Sequence, residues 1–263
     1  MTRLLEHLEK RRTDGHKLLV PYLVAGIPDR ETFGEALKAV ARHADVVEVG
    51  LPYSDPLMDG PVIAAAAERA ITAGVGPIEA LALSGRSDVG PKVAMTYYNP
   101  IHRVGEAEFC KRAAADGFWG LIVPDLPFEE SGSLMDAADS EGLAWIPLVS
   151  PTSSAGRIEK IVGGATGFVY AVSTLGVTGT RAELSERAAA VVAACRAATD
   201  RPVLVGIGVS NPEQAVEASR SADGVVIGSA VVSRVVEQGA AEAEAFLSEV
   251  RTALDAGTPA PSV

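Results

Sequence analysis

The sequence has few of the residues on which disulfide-bonded and metal-binding proteins depend. Its 263 residues include two cysteines, Cys110 and Cys195, and four histidines that are scattered rather than grouped with carboxylates. Two distant thiols do not make a disulfide framework or a metal site, so they are interpreted as reduced core thiols of a cytoplasmic protein. The sequence therefore predicts chemistry without a metal ion.

Basic residues and long apolar runs are also scarce. The chain carries 23 Lys and Arg against 34 Asp and Glu, a net charge of −11. Without a basic patch we expect no nucleic-acid partner, and the acidic surface disfavours anionic membranes. No run approaches the ~18 apolar residues that cross a bilayer, and the N-terminus lacks a signal-peptide stretch. A cytoplasmic protein is predicted. A phosphorylated small molecule remains possible as a ligand, because helix N-termini bind phosphate without lysine.

Short apolar runs alternate with longer amphipathic segments along the chain, and this alternation predicts the fold. Near-continuous apolar runs are typical of parallel strands buried on both faces. Eight strand–helix units predict an α/β protein with a closed (β/α)8 TIM barrel, and no dinucleotide-binding glycine turn follows the first run. The eight runs are Leu18–Val24, Val46–Val49, Val93–Tyr97, Gly120–Val123, Ala144–Val149, Gly167–Val172, Val203–Gly206 and Gly224–Ile227.

The ends of the chain add two features to the predicted barrel. An extra N-terminal helix is expected near Arg3–Arg11, with Leu4, Leu5 and Leu8 on the face that closes the bottom of the barrel. A barrel of this kind takes about 250 residues. We therefore expect a single domain over residues 1–256 and a disordered tail over residues 257–263.

Glu48 is the first candidate for chemistry, because active sites of these barrels lie at the C-terminal ends of the strands. It stands inside the apolar run Val46–Val49, followed by Gly50. Burial raises the pKa of a carboxyl group, and a raised pKa at a strand end suits general acid–base work. The alternative is a buried carboxylate satisfied by an ion pair or by backbone donors.

The loop after this run brings two more carboxylates above the barrel mouth. Asp59 precedes Gly-Pro, so it is either a functional residue or the N-cap of a helix predicted over Val62–Ala73. Asp55 stands before Pro56 and is either functional or a turn residue. The residues alone leave both alternatives open.

Glycines follow the last three predicted strands. Thr174–Thr180 forms a lid-like loop, Gly206–Glu213 enters a well-capped helix, and Gly228 and Ser229 open another helix. Glycine lets the backbone approach a ligand, and helix N-termini favour an anion. Loops after strands seven and eight are the usual phosphate position in these barrels, so phosphate binding is predicted there.

The types of residue missing from the strand ends narrow the reaction class. Lys17 and Lys92 precede their predicted strands and Lys160 lies on a helix, which disfavours a Schiff-base aldolase. The scattered histidines disfavour a metal-dependent aldolase. Metal-free acid–base chemistry on a phosphorylated substrate remains. Three aromatic residues at strand ends are candidates either for the wall of an apolar pocket or for barrel packing: Tyr22, Tyr97 and Tyr170.

The segment Val47–Pro61, which reads VEVGLPYSDPLMDGP, resembles the signature of the tryptophan synthase alpha subunit family. The resemblance covers essentially the whole chain in order. It continues through Tyr97–Pro100, Pro124–Pro127, Gly176–Gly179 and Gly206–Ser210. It implies retro-aldol cleavage of indole-3-glycerol phosphate to indole and glyceraldehyde 3-phosphate.

The resemblance also implies roles for individual residues. Glu48 is expected to be the catalytic acid–base, and Asp59 to accept a hydrogen bond from the indole N–H. Thr178 matches a lid threonine that contacts Asp59 on closure. The positions that match the surroundings of the indole are Tyr22, Tyr97, Leu148 and Tyr170. The positions that match the phosphate site are Gly179, Gly208, Gly228 and Ser229.

A partner is implied as well. Members of the family pass indole to a beta subunit, which predicts an α2β2 complex in which pyridoxal phosphate belongs to the beta subunit and this chain holds no cofactor. Two alternatives stay open: a stand-alone lyase that releases free indole, and a non-catalytic regulatory subunit of the same fold. A subunit that works with a beta partner and a stand-alone lyase would both contain Glu48 and Asp59, so the sequence does not separate these two hypotheses.

Overall fold

The computed structural model describes residues 1–172, 181–206 and 208–257. All paired strands are parallel, in the order β5-β4-β3-β2-β1-β9-β8-β7-β6. The strands are β1 (Leu18–Val24), β2 (Val47–Gly50), β3 (Lys92–Met95), β4 (Gly120–Ile122), β5 (Ala144–Trp145), β6 (Leu148–Val149), β7 (Val169–Val172), β8 (Val203–Gly206) and β9 (Gly224–Ile227).

The sheet closes into a barrel because β5 and β6 are two halves of one strand. Pro147, which has no N–H to donate, stands between them and interrupts the ladder. Hydrogen bonds nevertheless continue on both sides: Ile146 N donates to Leu121 O at 3.1 Å, and Tyr170 N donates to Pro147 O at 3.0 Å. The strand thus joins β4 to β7, and the predicted (β/α)8 barrel is confirmed.

Helices follow the strands around the barrel. They are α1 (Arg3–Thr13), α2 (Phe33–Ala41), α3 (Pro61–Thr72), α4 (Pro77–Gly85), α5 (Tyr98–Val104), α6 (Glu106–Ala115), α7 (Gly132–Ser140), α8 (Ala155–Gly163), α9 (Arg181–Ala198), α10 (Pro212–Ser219), α11 (Ser229–Glu237) and α12 (Ala240–Ala256). A short 3-10 helix, Phe128–Glu130, precedes α7.

The extra N-terminal helix is confirmed as α1. Its apolar face, with Leu4, Leu5 and Leu8, is buried against the bottom of the barrel. Asp45, at the foot of β2, helps to hold this end together. Its carboxylate accepts hydrogen bonds from Leu19 N at 2.8 Å and from Arg11 Nε at 2.6 Å, so it joins α1 to β1.

Three details differ from the sequence-based expectation. The helix predicted over Val62–Ala73 begins at Pro61, with Gly60 as its N-cap, so the capping interpretation of Asp59 is wrong. Lys92 is the first residue of β3 rather than preceding it, although it remains at the foot of the barrel. Of the predicted tail only Gly257 is described, and residues 258–263 lie outside the described residues.

The two cysteines lie in the core. Cys110 and Cys195 are buried and unbridged, and burial raises the pKa of their thiols to about 12 and about 11. Within the described part of the chain, no helix is long and apolar enough to cross a membrane.

Candidate active site

Glu48 lies on β2 near the end that faces the barrel mouth. Its side chain is only 3% exposed, and Tyr22 of β1 stands opposite it in the strand register. Its Oε2 atom has no hydrogen-bond partner among the described residues, and no salt bridge to Glu48 is present there. Burial, reinforced by the nearby charge of Asp59, raises the pKa of Glu48 to about 8. The side chain therefore holds a proton at neutral pH.

Asp59 is held by a tyrosine from another strand. The Tyr97 hydroxyl, just beyond β3, accepts a hydrogen bond from Met58 N at 3.0 Å and also bonds the Asp59 carboxylate. Burial raises the pKa of Asp59 to about 6, while the Tyr97 bond opposes this rise by stabilising the ionised form. At neutral pH Asp59 is therefore largely ionised.

The two carboxyl groups are thus prepared for different tasks. Their environments separate their pKa values to about 8 for Glu48 and about 6 for Asp59, on opposite sides of neutrality. Such a separation is how acid and base roles are divided between two carboxyl groups in one site. Near neutral pH the site offers a proton donor and a negative charge together.

Tyrosines surround the two carboxyl groups. Burial and the charges of Glu48 and Asp59 raise the pKa values of Tyr22 and Tyr170 well above the ordinary range, so both phenols stay neutral. Glycines make room for these two rings. A methyl group on Gly50 would overlap the Tyr22 hydroxyl, and one on Gly206 would come within 2.8 Å of the Tyr170 hydroxyl.

Leu148 lies beside this group and borders an open cavity. It stands opposite Tyr170 in the register of β6 and β7. The cavity has a volume of about 390 Å³ and reaches from the loop after β2 to the ends of β4, β5 and β6. Its lining includes Met58, Asp125, Leu126, Phe128, Trp145 and Leu148. Its apolar walls suit a flat aromatic molecule.

The predicted phosphate residues lie at the ends of β8 and β9. Gly208 has a φ of +66°, a conformation that favours glycine, and Gly228 is the N-cap of α11, which begins at Ser229. An added Cβ on Gly228 would lie 3.9 Å from the Cβ of Tyr22. The N-terminus of α11 therefore lies beside Tyr22. The remaining predicted residues, Thr178 and Gly179, lie outside the described residues.

Sequence reasoning gave no role to two residues that contact the site. The Tyr53 ring lies 5.3 Å from the Tyr97 ring, and the Tyr53 hydroxyl accepts a hydrogen bond from Asn99 Nδ2 at 3.0 Å. Both residues stand inside the motifs that carry the family resemblance. Their contacts join the segment after β2 to the segment after β3, and no local pattern in the sequence predicts such contacts. In the part of the chain that the structure describes, no group of three or more histidine, cysteine, aspartate or glutamate side chains could hold a metal ion.

Comparison with known proteins shows which proteins the chain as a whole is similar to. The family model described as "Tryptophan synthase alpha chain" matches residues 8–257. The tryptophan synthase alpha chain of Picosynechococcus sp. is 45% identical over 254 residues, covering 95% of this chain and 96% of the relative. That of Synechococcus elongatus is 46% identical over 260 residues, covering 97% and 98%.

Solved structures agree with these relatives. Tryptophan synthase from Mycobacterium tuberculosis matches with a TM-score of 0.89 and 38% identity, covering 96% of this chain and 98% of that one. Tryptophan synthase subunit alpha from Legionella pneumophila matches with a TM-score of 0.88 and 33% identity, covering 97% and 99%.

Proposed function

Because the chain belongs to the tryptophan synthase alpha chain family, we propose that Glu48 and Asp59 catalyse the reaction of that family. The chain is a lyase that cleaves indole-3-glycerol phosphate, as the alpha subunit of tryptophan synthase in tryptophan biosynthesis. The observation that carries the proposal is the pair of buried carboxyl groups beyond β2, with pKa values of about 8 and about 6.

Glu48 moves the protons in this proposal. Cleavage breaks the bond between indole C3 and the hydroxyl-bearing carbon of the side chain, so C3 must gain a proton and the hydroxyl must lose one. Protonated Glu48 donates to C3, and its carboxylate then accepts the hydroxyl proton as the aldehyde forms. Glu48 ends the cycle protonated, as it began, and indole and glyceraldehyde 3-phosphate leave.

Asp59 stabilises the charge that develops between these transfers. Protonation at C3 leaves the ring nitrogen positively charged, and the ionised Asp59 carboxylate accepts a hydrogen bond from its N–H. The pKa of Asp59, about 6, supports this role because the group carries its charge at neutral pH. Hydrogen bonding to Tyr97 holds the carboxylate in place before the substrate arrives.

The rest of the substrate extends from these carboxyl groups towards the N-terminus of α11. We propose that Gly208, Gly228 and Ser229 bind its phosphate, which the helix N-terminus favours. Thr178 and Gly179 remain predicted lid and phosphate contacts. The side chains proposed to enclose the indole are Tyr22, Tyr97, Leu148 and Tyr170.

The family implies a beta-subunit partner. We propose that two copies of this chain assemble with two beta subunits, that pyridoxal phosphate belongs to the beta subunits, and that this chain needs no cofactor of its own. The unbridged buried thiols Cys110 and Cys195 support a reducing, cytoplasmic location. The exposed side chains Leu57 and Met58, beside the barrel mouth, support a docking surface there.

The proposed roles are tested by indole release from indole-3-glycerol phosphate, with and without a beta subunit. Glu48→Gln is expected to lower kcat by about 10²–10⁴-fold, the usual contribution of general acid–base catalysis. Binding of an uncleavable phosphorylated indole should change little. Glu68→Gln, on the exposed face of α3, is the matched control. Near-wild-type turnover by Glu48→Gln would exclude Glu48 as the acid–base.

A further inference from the structure

The Tyr97 hydroxyl fixes the loop between β2 and α3, which carries Asp59 and is called the catalytic loop below. Two consecutive residues of that loop meet there: Met58 donates its backbone N–H at 3.0 Å, and Asp59 bonds through its carboxylate. The loop between β2 and α3 begins buried at Leu51 and then opens to solvent, with Leu57, Met58 and Gly60 exposed. The position of Asp59 therefore depends on where the Tyr97 ring lies.

The Tyr97 ring is in turn supported by Tyr53. The two rings lie 5.3 Å apart at an angle of 30°, a tilted arrangement of the kind aromatic pairs favour. The Tyr53 hydroxyl is tied to Asn99 Nδ2 at 3.0 Å, on the first turn of α5, two residues beyond Tyr97. Tyr53 thus joins the catalytic loop to the helix that follows Tyr97, because its ring packs against Tyr97 and its hydroxyl bonds Asn99.

From this geometry we propose that Tyr53 is a positioning residue for the cleavage reaction, which through its bond to Asn99 holds the Tyr97 ring where it fixes Asp59. The proposal rests on the proposed function of Asp59. In this arrangement Tyr53 acts on Asp59 through the Tyr97 ring that it contacts, and not as a catalytic residue.

The proposal has a pH signature because Asp59 must be ionised to accept the indole N–H. The bond from Tyr97 lowers the pKa of Asp59, so losing it moves that pKa upward. The other titratable groups that face Asp59 are Glu48 of β2, Tyr22 of β1 and Tyr170 of β7. The ring contact described for Tyr53 is with Tyr97, so a change at Tyr53 reaches Asp59 through Tyr97.

The experiment measures kcat/KM for indole release against pH in the full chain saturated with its beta subunit. Tyr53→Phe keeps the ring and removes only the acceptor of the Asn99 bond. We expect kcat/KM at neutral pH to fall about threefold to tenfold, as for one lost neutral hydrogen bond. The acid limb should move to higher pH. Asn99→Ala should reproduce both changes, and the double variant should be no worse than either single one.

The matched control is Tyr98→Phe. Tyr98 follows Tyr97 as the first residue of α5, and its hydroxyl donates a hydrogen bond to Glu106 at 2.9 Å. A merely structural role for Tyr53 would lower the melting temperature as Tyr98→Phe does and leave the acid limb unmoved. An unmoved acid limb in both Tyr53→Phe and Asn99→Ala would overturn the proposal. An inactive wild-type chain, or an active Glu48→Gln variant, would instead overturn the proposed function.

Discussion

At the scale of single residues, the proposed mechanism needs one carboxyl group to keep its proton and the other to lose it. Desolvation is the larger cause of both pKa shifts, and the two groups differ because Tyr97 bonds Asp59 while Glu48 Oε2 has no described partner. In the proposed mechanism the active form has Asp59 ionised and Glu48 protonated. That form predominates between the two pKa values, about 6 and about 8.

We therefore expect a bell-shaped dependence of kcat/KM on pH. Activity should rise as Asp59 ionises near pH 6 and fall as Glu48 loses its proton near pH 8. Steady-state rates of indole release across this range check the expectation. In Asp59→Asn the acid limb should disappear from whatever activity remains. A rate that keeps rising well above pH 8 would mean that Glu48 does not act as the acid.

The same pKa shift predicts a cost in stability. Unfolding exposes Glu48 and returns its pKa from about 8 to 4.5, so the folded state binds the proton more tightly than the unfolded state. The stabilising proton is fully present below pH 4.5 and is lost as pH rises to about 8. At neutral pH the free energy of unfolding is lower by about 3 kcal/mol than it would be with Glu48 protonated in both states, since one pKa unit is about 1.36 kcal/mol.

Glu48→Gln, which has no proton to lose, should therefore be more stable than the wild type, by a margin that grows between these pH values. Denaturant unfolding of both chains at several pH values measures the margin. Glu68→Gln, exposed on α3, should show no such growth. A margin that is constant with pH would mean that Glu48 titrates in the folded chain as it does in the unfolded chain.

At the scale of the elements, local pattern predicted the strands well where nothing interrupts them. The runs Leu18–Val24, Val203–Gly206 and Gly224–Ile227 form strands with those bounds. The run Ala144–Val149 splits in two around Pro147, whereas Leu18–Val24 stays one strand although it contains Pro21. A proline inside an apolar run therefore does not by itself predict the break.

The site was predictable only in part, for a related reason. Glu48 stands out locally as a carboxylate inside an apolar run. Asp59 had two local interpretations, and the N-cap interpretation fails because α3 is capped by Gly60. The bond of Asp59 to Tyr97, 38 residues further along the chain, has no local signal in the sequence. Tyr53, which contacts Tyr97 and Asn99, likewise joins segments that are far apart in the sequence. Contacts between loops follow from barrel closure and carry no periodic signal.

The N-terminal helix α1 gives a prediction at this scale. Leu8 is completely buried between α1 and the bottom of the barrel, far from the carboxyl pair. Leu8→Ala should lower the free energy of unfolding by about 2–5 kcal/mol, because it leaves a cavity in the core. The activity of each folded molecule should be unchanged. Denaturant unfolding with Leu57→Ala as the exposed control checks this, and equal losses in both variants would contradict it.

At the scale of the whole molecule, the exposed large apolar side chains are not spread evenly. Among the described residues they are Met1, Leu57, Met58 and Val62, and the last three lie within six residues at the barrel mouth. A cluster of exposed apolar side chains marks an interaction site more often than isolated ones do. Leu57 and Met58 belong to the loop that carries Asp59, so a partner bound to the cluster would contact that loop.

We expect Leu57→Asp to weaken binding of the beta subunit about tenfold or more, since a charge would enter an apolar contact that is 78% exposed in the free chain. Titrating the beta subunit against indole release measures the affinity, and sedimentation gives the stoichiometry of the complex. Without the partner, indole release should stay at the wild-type rate, because the Leu57 side chain points into solvent. Thr72→Asp, exposed at the far end of α3 and outside the cluster, is the control for an added charge and should leave the affinity unchanged. Unchanged affinity in Leu57→Asp would move the docking surface away from this loop, and the exposed cluster would then need another partner.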